Sequence, residues 1–193
     1  MTSLCKLAAY GKETDGARTV CDRLVYRIKD RHVTNYERFL AKQLSPIVRA
    51  EITSRGWLAR DGDGKLPFET VVTYCPRSPA MARSRGTDQA ERVARNLAVE
   101  LGLPFVRAFV HRAGGEQKGL RGQERQIRAQ AAYRLRRGVS VTVRRVILVD
   151  DIVTSGATMA ACTEALFSAG ALSVIGVAAE YVVRKKEKKR KRT

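Results

Sequence analysis

The stretch Val146-Ile147-Leu148-Val149-Asp150-Asp151-Ile152-Val153-Thr154-Ser155-Gly156-Ala157-Thr158 constrains the fold of this chain more than any other. An aliphatic run without polar alternation fits a strand covered on both faces, as in parallel sheets flanked by helices. The run ends in two carboxylates, passes through a turn of small and hydroxyl-bearing residues, and enters a helical pattern from Met159 to Ala169. The start of a helix favours an anion through its unpaired N–H donors and its dipole. Thr154, Ser155, Gly156, Ala157 and Thr158 supply hydroxyls and approachable backbone at that point, so the turn reads as a phosphate cradle. Asp150 and Asp151 fall at the carboxyl end of the strand, where open α/β sheets bind ligands. Acceptor-only carboxylates suit a sugar diol or its bound magnesium. Phosphate beside diol describes a ribose 5-phosphate.

Other phosphate sites fit less well. A Walker loop needs a Gly-Lys-Ser/Thr element, which is absent here. A response-regulator receiver places its acid pair near the start of the chain, and an ordinary core strand with a capped helix leaves the adjacent acids unexplained. The stretch resembles the motif that binds phosphoribosyl pyrophosphate (PRPP) in type I phosphoribosyltransferases: an aliphatic strand, two acids, then T-S/T-G-A-T.

The rest of the chain supplies the elements such a strand needs. Lys6 to Tyr10 reads as a strand, and Thr14 or Asp15 caps a helix running to Lys29, with Ala17, Val20, Cys21, Leu24, Val25 and Ile28 on its apolar face. Thr34-Asn35-Tyr36-Glu37 has the form of a capping box for a second helix through Phe39, Leu40 and Leu44. Pro46 is expected to break or kink that helix before Ile47, Val48 and Ile52 resume its stripe up to Gly56. Residues 60–65 form a turn that only superficially resembles a calcium loop, since Val72 occupies the position of the distant glutamate ligand. Thr70 to Cys75 is a strand stopped by Pro76-Arg77-Ser78-Pro79, followed by a cationic loop with Arg77, Arg83 and Arg85. Asp88 or Thr87 caps a helix with Ala90, Val93, Ala94, Leu97, Ala98 and Leu101 inward, closed by Gly102 and Pro104. Phe105 to Val110 reads as a strand, His111 to Arg137 as a basic lid or mobile loop, and Ser173 to Ala178 as the last strand. His32 and His111 are isolated and receive no role.

This order predicts an α/β fold, an open, mostly parallel twisted sheet with flanking helices and right-handed crossovers, followed by a basic C-terminal tail. The expected organisation is one domain over 1–183, with an N-terminal helical or hood part (1–66), a core (67–183) and a tail (184–193). At 193 residues the chain suffices for one sizeable core. No apolar run approaches a membrane span, and the first residues lack the pattern of a signal peptide, which points to the cytoplasm. Cys5, Cys21, Cys75 and Cys162 lie far apart without a C-x-x-C, so neither a zinc site nor a disulfide framework is expected. Cys21 and Cys162 read instead as small buried hydrophobes. The formal net charge is +18, and only part of it lies in the tail, where eight basic residues and one acid run from Arg184 to Arg192. Surface and tail both favour polyanionic partners: nucleotides, pyrophosphate or nucleic acid.

Beyond the PRPP motif, residues from about Thr70 to Val183 resemble the ComF/GntX-like phosphoribosyltransferases, a family linked to bacterial competence. Tyr74-Cys75-Pro76 and Arg83-Ser84-Arg85-Gly86-Thr87-Asp88-Gln89-Ala90 are similar to its P-V-P and R-x-R-G-F-N-Q-A blocks. Gln117-Lys118-Gly119-Leu120, Glu124-Arg125 and Tyr133 are similar to its Q-x-x-L, E-R and downstream aromatic. Three features depart from it: the zinc ribbon is missing, Thr87 and Asp88 replace Phe and Asn, and Arg128 stands where Asn usually follows E-R. The resemblance implies a magnesium-dependent transfer of ribose 5-phosphate from PRPP to a nitrogenous acceptor. It assigns the 5-phosphate to residues 154–158, the ribose hydroxyls to Asp150 and Asp151, directly or through Mg²⁺, and the pyrophosphate or lid to Pro76, Arg77, Arg85, Arg125 and Arg128. A non-catalytic PRPP or nucleotide sensor, or a DNA-handling partner using the basic surface and tail, is the alternative. A homodimer is compatible with either.

Overall fold

The computed structural model describes residues 3–10, 36–77, 88–111, 133–153 and 155–182. The helix expected between Thr14 and Lys29, the cap residues Thr34 and Asn35, and the basic tail lie outside them. Four parallel strands form the main sheet: β1 (Ser3–Tyr10), β2 (Thr70–Tyr74), β5 (Arg145–Val153) and β6 (Ser173–Val182), in the order β1-β6-β5-β2. Helices α1 (Tyr36–Ser54), α2 (Gln89–Leu101) and α3 (Ala157–Ser168) flank it. The mostly parallel α/β architecture expected from the sequence is therefore present.

β5 is hydrogen-bonded on both sides, to β2 and to β6. Because successive strand residues face opposite sides of a sheet, its aliphatic run feeds two cores. Ile147 and Val149 join Leu44, Val48, Ile52, Val93 and Leu97 of α1 and α2. Val146 and Leu148 join Met159, Cys162 and Leu166 of α3. Residues 146–149 are all fully buried, so an unalternating run is the only pattern this position tolerates.

The structure differs from the expected elements at several points. Pro46 lies inside an uninterrupted α1. A proline leaves the carbonyl four residues back without its helical donor, and here that carbonyl, on Lys42, accepts the Ser45 hydroxyl at 3.2 Å. Phe39 and Ile47, expected on the buried stripe, are exposed, and Leu40, Ala41, Leu44, Val48 and Ile52 make the inward face. Asp88 occupies the N-cap position of α2 but makes no capping bond with its side chain. Its Oδ2 accepts the N–H of Arg77 at 3.0 Å instead. Gly102 ends α2 in the left-handed region (φ 70°), its N–H directed to the carbonyls of Ala98 and Val99, as the Gly–Pro signal implied.

The expected strand Phe105–Val110 is reduced to one parallel bridge, Phe105 to Val72. Past it the chain leaves the sheet as β3 (Phe109–His111), which pairs antiparallel with β4 (Tyr133–Leu135). The basic segment read as a lid or loop therefore contains strand at both ends, while residues 112–132 lie outside the described residues. β6 runs to Val182 and β5 to Val153, both further than expected. Cys5, Cys75 and Cys162 are buried free thiols, and burial pushes Cys5 up to about 11. No helix among the described residues is long and apolar enough to cross a membrane.

Leu97 of α2 is fully buried among residues of the sheet and α1. Leu97→Ala should destabilise the fold by about 3 kcal/mol, transfer and cavity costs together. Urea unfolding measures this, and a loss under about 1 kcal/mol would show that the two helices repack around the hole.

Candidate functional site

β5 carries Asp150 and Asp151 to the rim of the sheet, and the chain turns there through Ser155 and Gly156 into α3. Gly156 stands at the helix entrance with φ +75°, a left-handed conformation that an L side chain adopts only with strain. Nothing lies within 4 Å of a Cβ built there, so backbone conformation rather than space requires glycine. The first N–H groups of α3 have no partner within the helix. The Ala157 N–H donates to Ser155 Oγ at 3.4 Å. Ser155 and Ala157 are exposed and Gly156 and Thr158 half-buried, so the cradle opens to solvent. Tyr133 of β4 shares a hydrogen bond with the Thr158 side chain, and burial raises its phenol to about 12. Thr154 lies outside the described residues.

The two acids have different surroundings. Alternation carries Asp150 toward the α3 side, within electrostatic reach of Cys75 and Tyr133. It is buried, and burial pushes its carboxyl well above the ordinary carboxylate range. The neighbouring Asp151 charge adds to the effect, against a single backbone N–H from Asp151 at 2.9 Å that opposes it. Asp151, whose carboxyl also contacts that of Asp150, forms an ion pair with Arg77, both side chains being less than one-fifth exposed. The sequence grouped these acids as equals. In the structure Asp151 is matched to a guanidinium, and Asp150 is the more deeply buried of the two.

Among the described residues Arg77 is the cation paired with the acids. The Cys75 N–H bonds the Val149 carbonyl at 2.8 Å, extending the β2–β5 pairing one residue beyond β2 and seating buried Pro76 and then Arg77 beside Asp151. Arg77 Nη2 also donates to Gln89 Oε1 at 2.9 Å, while Nη1 is buried with no hydrogen-bond partner among the described residues. Burial raises the Asp88 carboxyl, although the Arg77 N–H and guanidinium oppose that rise. The structure thus joins Asp150, Asp151, Arg77 and the 155–158 turn at one rim. Arg85, Arg125 and Arg128 lie outside the described residues.

Sequence reasoning gave Asp88 only a capping role and Gln89 and Tyr133 none, although all three stand in the blocks that carried the family resemblance. Their signal was position in the motif rather than chemistry, since a cap aspartate and a helix glutamine look ordinary. A cleft of about 390 Å³ lies between β4 and α3, lined by Tyr133, Arg134, Leu135, Ala161 and Glu164 among others.

Among the described residues no three His, Cys, Asp or Glu side chains gather as a metal-binding set. Two adjacent carboxylates still suit Mg²⁺, which keeps several waters and takes one or two carboxylates together with substrate phosphates.

The model of the phosphoribosyl transferase domain matches residues 83–193. A comparison with curated proteins returns no match. Among solved structures, a hypoxanthine phosphoribosyltransferase variant from Trypanosoma cruzi in its ternary substrates complex is 17% identical. The match covers 81% of this chain and 72% of that chain, with a TM-score of 0.46. A hypoxanthine phosphoribosyltransferase from Staphylococcus aureus is 15% identical over 78% of this chain and 74% of that chain, TM-score 0.40. Adenine phosphoribosyltransferase from Saccharomyces cerevisiae, complexed with an imino-altritol bisphosphate and adenine, is 16% identical over 73% and 68%, TM-score 0.42.

The raised Asp150 carboxyl makes stability depend on pH with a definite sign. From the ordinary value of 3.8 up to its raised value, the folded chain holds a proton that the unfolded chain has released. Stability from this source therefore falls as pH rises through that window. Asp150→Asn removes the effect, so the ligand-free variant should be more stable than the native chain at pH 7, with the gain vanishing below pH 3.8. Urea unfolding at both pH values checks this, and equal stabilities at pH 7 would show that the buried carboxyl carries no such penalty.

Proposed function

The chain belongs to the phosphoribosyl transferase domain family, and from that premise we propose that it is a magnesium-dependent enzyme that moves ribose 5-phosphate from PRPP to a nitrogenous acceptor. That it is a phosphoribosyltransferase follows from the family. The metal, the acceptor class and the residue roles are our reading. One observation carries it: an anion-ready helix entrance, held open by Gly156, directly follows a strand that ends in two carboxylates.

In this reading the N–H groups and hydroxyls of residues 154–158 hold the 5-phosphate. Asp151 accepts hydrogen bonds from the ribose hydroxyls, with Asp150 behind it. As the bond to pyrophosphate breaks, the sugar gains positive character, and fixed negative charge beneath it lowers the barrier. Arg77, with Pro76 setting its backbone, meets the negative charge that builds on the departing pyrophosphate. Arg85, Arg125 and Arg128 are proposed to add cations from the loops. Asp150 or Asp151 would hold Mg²⁺, which would supply positive charge against the departing pyrophosphate. A nitrogen acceptor that is already nucleophilic needs no general base.

Within the family we place the chain nearest the ComF/GntX-like members, on the Tyr74–Pro76, 83–90 and 146–158 blocks. Its single domain over 1–183, with a basic tail at 184–193, and its assembly as a homodimer are proposals of the same standing, as is a nucleic-acid contact through the basic surface.

Pyrophosphate release from PRPP and Mg²⁺, measured across a panel of purine and pyrimidine bases, tests the function. At least one acceptor should support turnover, and the Asp150→Asn, Asp151→Asn double variant should lose about a hundredfold or more in kcat/KM. A native chain that neither turns over nor binds PRPP would overturn the proposal, and tight binding without turnover would point to a sensor.

A further inference from the structure

Arg77 is committed to the wrong partner for a pyrophosphate ligand. Its guanidinium is spent on Asp151, the acid proposed to receive the ribose. Its main chain has little freedom, since Asp88 Oδ2 holds the Arg77 N–H at 3.0 Å and the Cys75 N–H holds β5 at 2.8 Å. Its side chain is less well satisfied. Nη2 serves both Asp151 and Gln89, whereas Nη1 is buried with no partner among the described residues. A buried guanidinium donor without an acceptor is costly, so this arrangement leaves a contact to be gained. A polyphosphate oxygen is the acceptor that fits a planar guanidinium fork.

We infer that Arg77 is an exchangeable counter-ion that sets specificity for the intact PRPP molecule, an inference that rests on the function proposed above. Without substrate, Arg77 neutralises Asp151. When PRPP binds, the ribose hydroxyls take over Asp151 and the guanidinium turns to the pyrophosphate, so one ion pair is replaced by two sets of contacts. A ligand that carries only half of PRPP makes a poorer exchange. Ribose 5-phosphate must dislodge Arg77 while offering it no pyrophosphate, and free pyrophosphate must draw Arg77 away while leaving Asp151 bare. The Arg77–Asp151 pair therefore discriminates against products and fragments, and it couples the two halves of the site reciprocally. Gln89 and Asp88 act here as positioning residues, the first holding Nη2 and the second the backbone.

Calorimetry with three probes, each in Mg²⁺, tests this on the full chain: ribose 5-phosphate, inorganic pyrophosphate and PRPP. Arg77→Gln has no pair to break, so it should bind ribose 5-phosphate about tenfold tighter than the native chain, the size expected for one charge-assisted hydrogen bond. The same variant should bind pyrophosphate and PRPP more weakly. Asp151→Asn should do the reverse, tightening pyrophosphate and weakening ribose 5-phosphate. Arg77→Lys, which keeps the cation, should stay near native for ribose 5-phosphate.

Opposite changes for the two fragments support the exchange. If Arg77→Gln weakens pyrophosphate but leaves ribose 5-phosphate unchanged or weaker, Arg77 is a simple ligand and the exchange is wrong. Thermal melting shows whether Arg77→Gln folds. Should it not fold, the Asp151→Asn result decides, because unchanged or weaker pyrophosphate binding there overturns the inference. A native chain that binds none of the three probes marks the failure of the functional reading rather than of the exchange alone.

Discussion

An interior strand that ends in two acids sets the terms for the rest of this molecule. Ladders on both edges and helices on both faces keep Val146 to Val149 out of water. The chain therefore cannot disperse the charge that follows, because Asp150 emerges while still hydrogen-bonded in register with Ala178. Isolated buried charge is strongly unfavourable, so such a group either becomes neutral or acquires a partner. Asp150 and Asp151 divide these solutions between them. One is pushed toward its protonated form and the other is matched to a guanidinium.

Much of the neighbouring structure serves that second solution. Arg77 reaches Asp151 because pairing between β2 and β5 continues through Cys75 and because α2 begins with Asp88 and Gln89. The first turn of α2 is itself tied down at Glu91. Burial raises the Glu91 carboxyl, but hydrogen bonds from Arg107, Arg95 and Tyr74 outweigh it and bring the carboxyl below its ordinary value. Arg95 also lies over the Phe105 ring, 4.3 Å from its centroid, and that ring stacks on Tyr74. Arg95 and Arg107 are half exposed, so their ion pairs add little to stability. Their contribution is geometric, fixing the end of β2 against the start of α2.

The parts of this arrangement that were legible in the sequence are those that local chemistry dictates. A β-branched aliphatic run ending in turn signals favours an interior strand, Gly102 with Pro104 favours a helix end, and Gly156 at a helix start marks a conformation as well as a ligand. The parts that were not legible depend on partners far away in the chain. Asp88 does stand at the N-cap, as read, but its carboxylate is also engaged by the distant Arg77 N–H. Pro46 looked like a break because the Ser45 hydroxyl is not counted among helix donors. Phe105 to Val110 had strand composition, yet after one bridge the chain left to form a separate antiparallel pair. The unlike surroundings of Asp150 and Asp151 follow from strand alternation, which the sequence contained, but their consequence required the positions of Arg77 and α3.

Strand order carries a further implication, for synthesis. β6 sits between β1 and β5, and Ser3 faces Ile175 across the ladder. Among the described residues β1 therefore pairs only with β6, which follows every other described strand and helix in the chain. Until Ser173–Val182 emerges, β1 and one side of β5 present unpaired edges, the kind of surface that invites mispairing between nascent chains. Such long-range closure predicts slow, late folding and a period of dependence on chaperones.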